Sequence, residues 1–323
     1  MKKIGLFFII LFWPVIIFGY SNRILLGGEN VGININSKGL TVTGFYKVNG
    51  KYIGKENLRS GDVILSVNDV EVNSIDDLSN KIGDDVGSEI KVRIRRNNKI
   101  IDTNINVVLD EKVYKTGLYI KDNIVGIGTI TYIDPISKIY GALGHEIMYS
   151  ETNSMVEVRN GNILESRVTS IDKSYNGYVG AKNANINFNK SIGTIESNTD
   201  FGIFGFIDKI PNKEIISVGN YEDIHKGEGY IYTVTNGNTP VKYRIKIVDK
   251  YNNKKNTNKA FGFQIDDEEL INITGGVVQG MSGSPIVQDN KIIGAVTHAL
   301  VDRVNLGYGV YIGTMLKEGD KIK

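Results

Sequence analysis

From Arg23 onward the chain is written in short runs of β-branched and aromatic residues cut apart by Gly, Asn and Asp, and the 3.6-residue apolar period of a packed helix is scarce. β-branched side chains are stiff at χ1 and suit a pleated surface, whereas Gly, Asn and Asp tolerate the backbone of tight turns. This punctuation predicts a mainly β molecule. "GLTVTGFYKV" (39–48), "GDVILSVNDVEV" (61–72), "IKVRIRR" (90–96) and "IIDTNINVV" (100–108) read as strands with turn signals between them. One helix is expected over residues 74–82: Ser74 is a good N-cap, Asp76 and Asp77 favour the first turn, and Ile75, Leu78 and Ile82 share a face. With 323 residues, 41% of them hydrophobic, the chain is long enough for about two domains. After a linker near residues 109–116 come further short strands with no fixed-period repeat, for which a β-barrel or sandwich is expected, and the tail "GTMLKEGDKIK" is expected to close it with a helical turn.

The amino terminus follows a different rule. Lys2 and Lys3 precede an apolar run, residues 4–18, broken only by Pro14. A positive segment followed by an apolar one is the pattern of an export signal. The run would span about 23 Å, short for a permanent span but workable as a signal anchor. Residues 1–22 are read as that anchor, with the rest exported, and Gly19 and Ser21 leave a cleaved signal as the competing reading. Cysteine is absent, which removes disulfides, thiolate zinc sites and cysteine nucleophiles together. The 38 Lys+Arg against 36 Asp+Glu leave a net charge of +2, without the basic footprint of a nucleic-acid binder. The local run "KVRIRRNNK" alternates with Val92 and Ile94 like one strand with a solvated face.

The order "LRSGDVILSVNDVEV", helix, two closing strands resembles a PDZ domain, whose frequent signature falls on Leu58, Gly61, Asp62, Ile64, Val67 and Asn68. The resemblance implies a groove in which an extended peptide adds as a strand. Its carboxylate-binding loop would match "GGENVGINI", with backbone amides from Val31, Gly32 and Ile33. On this reading residues 23–108 form the PDZ domain and 109–323 a second domain.

That second domain carries "GGVVQGMSGSPIV", residues 275–287. Serine nucleophiles need a base, a group that fixes the base's tautomer, and amides aimed at the developing oxyanion. Glycines around Ser282 permit a turn that larger residues would obstruct, with the amides of Gly280 and Ser282 converging near the Ser282 hydroxyl. The hexapeptide 280–285 resembles the G-x-S-G-x-P signature of chymotrypsin-like serine peptidases, which implies Ser282 as nucleophile in preference to Ser284 and a double β-barrel around it. There are three histidines. His225, in "YEDIHKGEG", reads as solvated surface. His145, in a glycine-bracketed turn well upstream of the serine, matches the chain order of chymotrypsin-like barrels and is assigned as base, with His298 in reserve. For the orienting carboxylate, spacing alone leaves Asp266, Asp267 and Asp134 open.

"GIGTITYIDPISKIYGALGHEI", "ITGGVVQGMSGSPIVQDNKIIGAVTHALV" and "GYGVYI", placed after an N-terminal anchor and a PDZ domain, resemble the stage IV sporulation protein B peptidase family, serine peptidases of endospore-forming bacteria. The resemblance implies His145, Asp267 and Ser282 as the catalytic residues, and no metal or organic cofactor. It departs from the family at "EIMYSETNS" and "IDDEEL". It also implies a membrane-associated endopeptidase in the space between the forespore and mother-cell membranes. Such an enzyme cleaves itself in trans and cleaves a regulatory membrane protein, so that an intramembrane protease is released and a late mother-cell sigma factor activated. Two other classes compete: an envelope quality-control peptidase, whose usual order is peptidase before PDZ, and a non-catalytic PDZ scaffold.

Overall fold

One 16-residue strand, Asn30–Phe45, ties the molecule together. In its first half Val31, Ile33 and Ile35 alternate into one apolar cluster, and in its second half Leu40 and Val42 enter another. The change of partner falls where Gly39 adopts φ +73° and the pairing with the strand Leu118–Ile133 shifts register. A Cβ at Gly39 would sit 2.6 Å from the Ile64 carbonyl oxygen, so both the backbone conformation and the space call for glycine. A computed structural model describes residues 21–84, 89–97, 99–251 and 256–323 of the chain. The expected anchor, residues 1–22, lies almost wholly outside the described residues; among those described, no helix is long and apolar enough to cross a membrane.

Beyond Gly39 the chain builds a small α/β unit. The strands Val63–Val67, Glu89–Arg96 and Lys99–Asn106 pair antiparallel, and α1 (Ile75–Asp84) lays Leu78 and Ile82 on their apolar face. α1 starts where expected because Ser74 Oγ accepts the Asp77 amide at 3.0 Å while the Asp77 carboxylate accepts the Ser74 amide at 3.0 Å, a reciprocal cap. Ile90, Val92 and Ile94 point inward, and Lys91 and Arg93 pair outward with Asp69 and Asp102, so the basic run is one solvated strand face. Asp62 is 1% exposed and takes a two-point grip from Arg96. In place of the expected linker, Val108–Asp110 and Val113–Lys115 form a hairpin turned by Glu111 and Lys112, both at positive φ.

The rest encloses two further apolar clusters. Around one, the strands Gly227–Thr233, Val241–Lys250, Phe261–Ile265, Arg303–Tyr311, Lys291–Leu300 and Pro285–Gln288 each pair antiparallel with the next, and the last returns to the first. This C-terminal barrel shows the two-residue period along Val241–Lys250, where Tyr243, Ile245 and Ile247 are buried between exposed Lys242, Arg244 and Lys246. Around the other cluster run Asn30–Phe45, Leu118–Ile133, Ile139–Ala142, Gly202–Phe206, Ala181–Thr194 and Val158–Asp172. This N-terminal barrel closes between Gly202–Phe206 and Ala181–Thr194 through the single bridge Gly193 to Ile207. Helix α2 (Glu268–Thr274) precedes the serine turn, and the tail forms α3 (Ile312–Gly319), longer than the single turn expected. The segment 307–312 is a core strand end whose Gly307 and Gly309 admit the rings of Phe263 and Phe261.

The stretch from Arg23 to Ile35, expected with the PDZ unit, packs instead into the N-terminal barrel. Leu25, Val31, Ile33 and Ile35 belong to its cluster, and Arg23–Leu26 pairs with both Leu118–Ile133 and Ile215–Val218. The reading of Val31, Gly32 and Ile33 as a carboxylate loop is therefore corrected. These residues lie mid-strand, with Gly126–Gly128 on one side and Ile163–Glu165 on the other, so their backbone groups already serve two ladders and leave no edge for a peptide.

Candidate active site

Where the two barrels face each other, a cleft of about 490 Å³ collects Leu143, His145 and Glu146 from the first and Val278, Ser282 and His298 from the second. The serine sits on the turn that leads into Pro285–Gln288. Gly280 and Gly283 take φ +89° and +91°, where L side chains are strained. At Gly283 the crowding is decisive, because a Cβ would lie 2.0 Å from the Thr129 carbonyl oxygen and 2.5 Å from the Leu143 amide nitrogen.

The turn is held from the opposite barrel. Thr129 Oγ1 donates to the Gly280 carbonyl at 2.8 Å, the Thr129 amide to the Ser282 carbonyl at 3.1 Å, and Thr131 Oγ1 to the Gly283 carbonyl at 2.8 Å. Within the turn the Met281 amide donates to Val278, the Gly283 amide to Val296 and the Ser284 amide to Met281. With these carbonyls drawn away, the amides of Gly280 and Ser282 have no acceptor among the described residues. Two open amides flanking a serine hydroxyl form a site for a negatively charged oxygen.

His145 enters by a second turn. After the strand Ile139–Ala142, Leu143 (φ +70°) and Gly144 (φ +76°) reverse the chain, and Gly144 packs against Thr297 and Val310 of the C-terminal barrel. His145 Nδ1 lies 2.8 Å from the Glu146 carbonyl oxygen. A carbonyl can only accept, so Nδ1 carries a proton and Nε2 is left as the basic nitrogen. The ring lies 5.3 Å from that of His298, tilted by 43°. His298 Nδ1 is buried without a partner, and burial, with His145 and Lys259 nearby, lowers its pKa to about 4. It stands neutral at ordinary pH. The Ser282 hydroxyl donates to the Thr297 carbonyl at 3.0 Å, and both residues line the cleft that His145 lines.

The structure thus brings Ser282, His145, His298 and the amides of Gly280 and Ser282 together, and it does not bring in Asp267. That assignment is corrected. Asp267 is the N-cap of α2, its Oδ1 accepting the Leu270 amide at 3.1 Å and its Oδ2 the Arg244 amide at 3.1 Å, and it does not line the cleft. Asp266 pairs with Lys246 at 3.1 Å, and Asp134 is spent on the Ile136 amide and the Ser137 hydroxyl of its own turn. The partner that His145 Nδ1 does have is the Glu146 backbone carbonyl, which leaves no side-chain signal in a sequence. Thr129, Thr131 and Thr297 carry no local signal either, since their contacts span more than a hundred residues or come through a main-chain oxygen. Exposed His225 pairs with Asp289 away from the cleft, as its polar loop suggested. Among the described residues no cluster of His, Asp and Glu is placed to hold a metal ion.

Comparisons with known proteins bear on the same regions. A family model described as SpoIVB peptidase S55 matches residues 112–316, more than half of the chain, and one described as PDZ domain matches residues 46–107. Among solved structures, the PDZ domain of the SdrC-like protein from Listeria monocytogenes is similar at 20% identity and a TM-score of 0.24, over 27% of this chain and 93% of that one. No curated protein matched the sequence.

Proposed function

This chain belongs to the SpoIVB peptidase S55 family and is a serine endopeptidase with a PDZ domain, and from that premise we propose that Ser282 is its nucleophile and His145 its general base, in a chymotrypsin-like pair of barrels. The observation that carries the assignment is the pair of open amides at Gly280 and Ser282 beside the Ser282 hydroxyl, with the His145 ring in the same cleft.

The Ser282 hydroxyl leaves the Thr297 carbonyl and passes its proton to His145 Nε2 as Oγ attacks the peptide carbonyl carbon. The carbonyl oxygen becomes an oxyanion and receives the Gly280 and Ser282 N–H groups. The imidazolium, held through Nδ1 by the Glu146 carbonyl, returns the proton to the leaving amine, and water repeats the sequence on the acyl-enzyme. Labelling of the purified chain by a fluorophosphonate tests this. The label is expected on Ser282 and absent from Ser282→Ala, and label that survives the substitution sinks the assignment.

The same reading extends to the enzyme's place in the cell: an exported, membrane-associated peptidase of sporulation that cleaves itself in trans and a regulatory membrane protein, upstream of intramembrane proteolysis and sigma-factor activation. What supports it is the family and the Lys2–Lys3 apolar leader pattern. Active chain mixed with full-length Ser282→Ala chain is expected to cut the inactive copy near its amino terminus. An intact inactive copy overturns self-cleavage in trans.

A further inference from the structure

Beneath the serine turn lies a lysine that takes no part in the cleft. Lys182 is 3% exposed and occupies the second position of the strand Ala181–Thr194. Its amide donates to the Gln279 carbonyl at 2.9 Å, and the Gln279 amide donates to the Gly180 carbonyl at 2.8 Å, so the strand start and the approach to the turn are laced together. The stem of Lys182 runs under Gly280, where an added Cβ would come within 3.1 Å of Lys182 Cδ and 3.2 Å of its Cβ. At the far end Nζ donates to Thr233 Oγ1 at 2.8 Å, and the same oxygen accepts the Ser284 hydroxyl at 3.0 Å. Thr233 and Ser284 are both fully buried.

No charged neighbour contributes to this environment, and burial alone lowers the Lys182 pKa to about 7. A buried amine without a counter-ion is a cost to folding that a methionine of similar length would not carry. Sites of function are where such costs are retained. The amine also does something that an apolar tip cannot. Its N–H groups need an acceptor, and Thr233 Oγ1, which takes both the Lys182 amine and the Ser284 hydroxyl, links the lysine to the far end of the turn. The turn is then gripped on two sides: Thr129 and Thr131 hold its carbonyls from the N-terminal barrel, and Lys182 meets Gly280 directly and Ser284 through Thr233.

We propose that Lys182 is a positioning residue of the peptidase, whose stem and amine hold the turn of residues 280–284 in the conformation that keeps the Gly280 and Ser282 amides open to the oxyanion. The inference rests on the peptidase reading of Ser282, and the experiment separates the two. Fluorophosphonate labelling of the full chain, measured against probe concentration, gives a maximal rate and a half-saturating concentration, and the adduct places a tetrahedral oxygen at the open amides. Failure of the wild type to label at Ser282 overturns the peptidase reading, and this inference with it. Where the wild type labels, Lys182→Met is expected to lower the maximal rate at least tenfold, with the half-saturating concentration within twofold and the Tm level or higher. An unchanged rate overturns the inference, and so does a rate lost in step with a falling Tm, the mark of a purely structural lysine. If Lys182→Met does not fold, Ser284→Ala decides. A threefold or larger loss of maximal rate at unchanged Tm upholds the link through Thr233, and an unchanged rate overturns it.

Discussion

Two neighbouring segments treat their backbone amides in opposite ways. At the start of α2, Asp267 satisfies the amides of Leu270 and Arg244, Gly275 closes the helix at φ +71° with its own amide on the Ile271 carbonyl, and Thr274 Oγ1 donates to Leu270. Only a few residues later, the turn of residues 280–284 has its carbonyls taken by Thr129 and Thr131 while the amides of Gly280 and Ser282 stay open. A completed set of hydrogen bonds makes scaffold; an incomplete one of a single polarity makes a place for a ligand atom of the opposite charge. The difference bears on the proposed function, because unpaired donors cost free energy that a bound oxyanion would return.

The largest effect tests the open side of this contrast. His145→Ala is expected to lower peptide hydrolysis by about 10⁴-fold or more, since the amides alone then remain to stabilise the oxyanion. A loss under about tenfold would move the base elsewhere, with His298 the ring beside it. Next comes Thr129→Val, which keeps the shape and removes the hydroxyl that holds the Gly280 carbonyl. The Gly280 peptide is freed to rotate, and kcat is expected to fall about tenfold with KM nearly constant, less than the loss of a whole oxyanion donor. An unchanged kcat would show that the turn is rigid without Thr129.

The contrast also explains what a reader of the sequence sees. Runs such as "VKYRIKIVDK" and "EIKVRIRR" show their two-residue period directly, because each strand has one face toward a single core, and Ser74 with Asp77 announces α1. The glycines of "GMSGSP" likewise reveal a turn that needs positive φ. What hides is pairing across distance. "NVGINI" looks like a loop followed by a strand of a PDZ unit, yet its partners are residues 124–129 and 161–165, so the strand is a wall of the barrel. Asp267 looks like a triad member because the family resemblance sets the catalytic carboxylate on it, and an N-cap aspartate is the same residue type. The distinction lies in which amides surround it, and the two that do belong to Leu270 and Arg244.

Asp267 therefore gives the third test, on the closed side of the contrast. Asp267→Ala is expected to cost about 1–2 kcal/mol in a denaturant titration through the lost cap, with fluorophosphonate labelling of Ser282 at saturating probe within about threefold of the wild type. Asp267→Asn keeps a good capping side chain and is expected to restore part of that stability. A hundredfold loss of labelling in Asp267→Asn, with the fold intact, would return this carboxylate to the site and erase the contrast between the two segments.

The smallest expected effect concerns the second ring of the cleft. His298 has its pKa lowered from the ordinary 6.5 to about 4, chiefly by burial and then by the neighbouring His145 and Lys259. A depressed folded-state value means that the unfolded chain takes up this proton first as the pH falls, so the stability tied to the neutral ring is whole above about pH 6.5 and is lost between pH 6.5 and 4. His298→Phe keeps a ring against His145, removes the titration, and relieves the unpartnered Nδ1. Its Tm is expected to exceed that of the wild type by about 2–4 °C more at pH 4 than at pH 8, while labelling of Ser282 at pH 8 changes by less than about fivefold. A constant Tm difference across that range would mean that the ring titrates freely in the folded protein. Loss of labelling at pH 8 would mean that the neutral His298 ring takes part in the proton transfer itself, so that the open amides of the turn serve a pair of histidines instead of one.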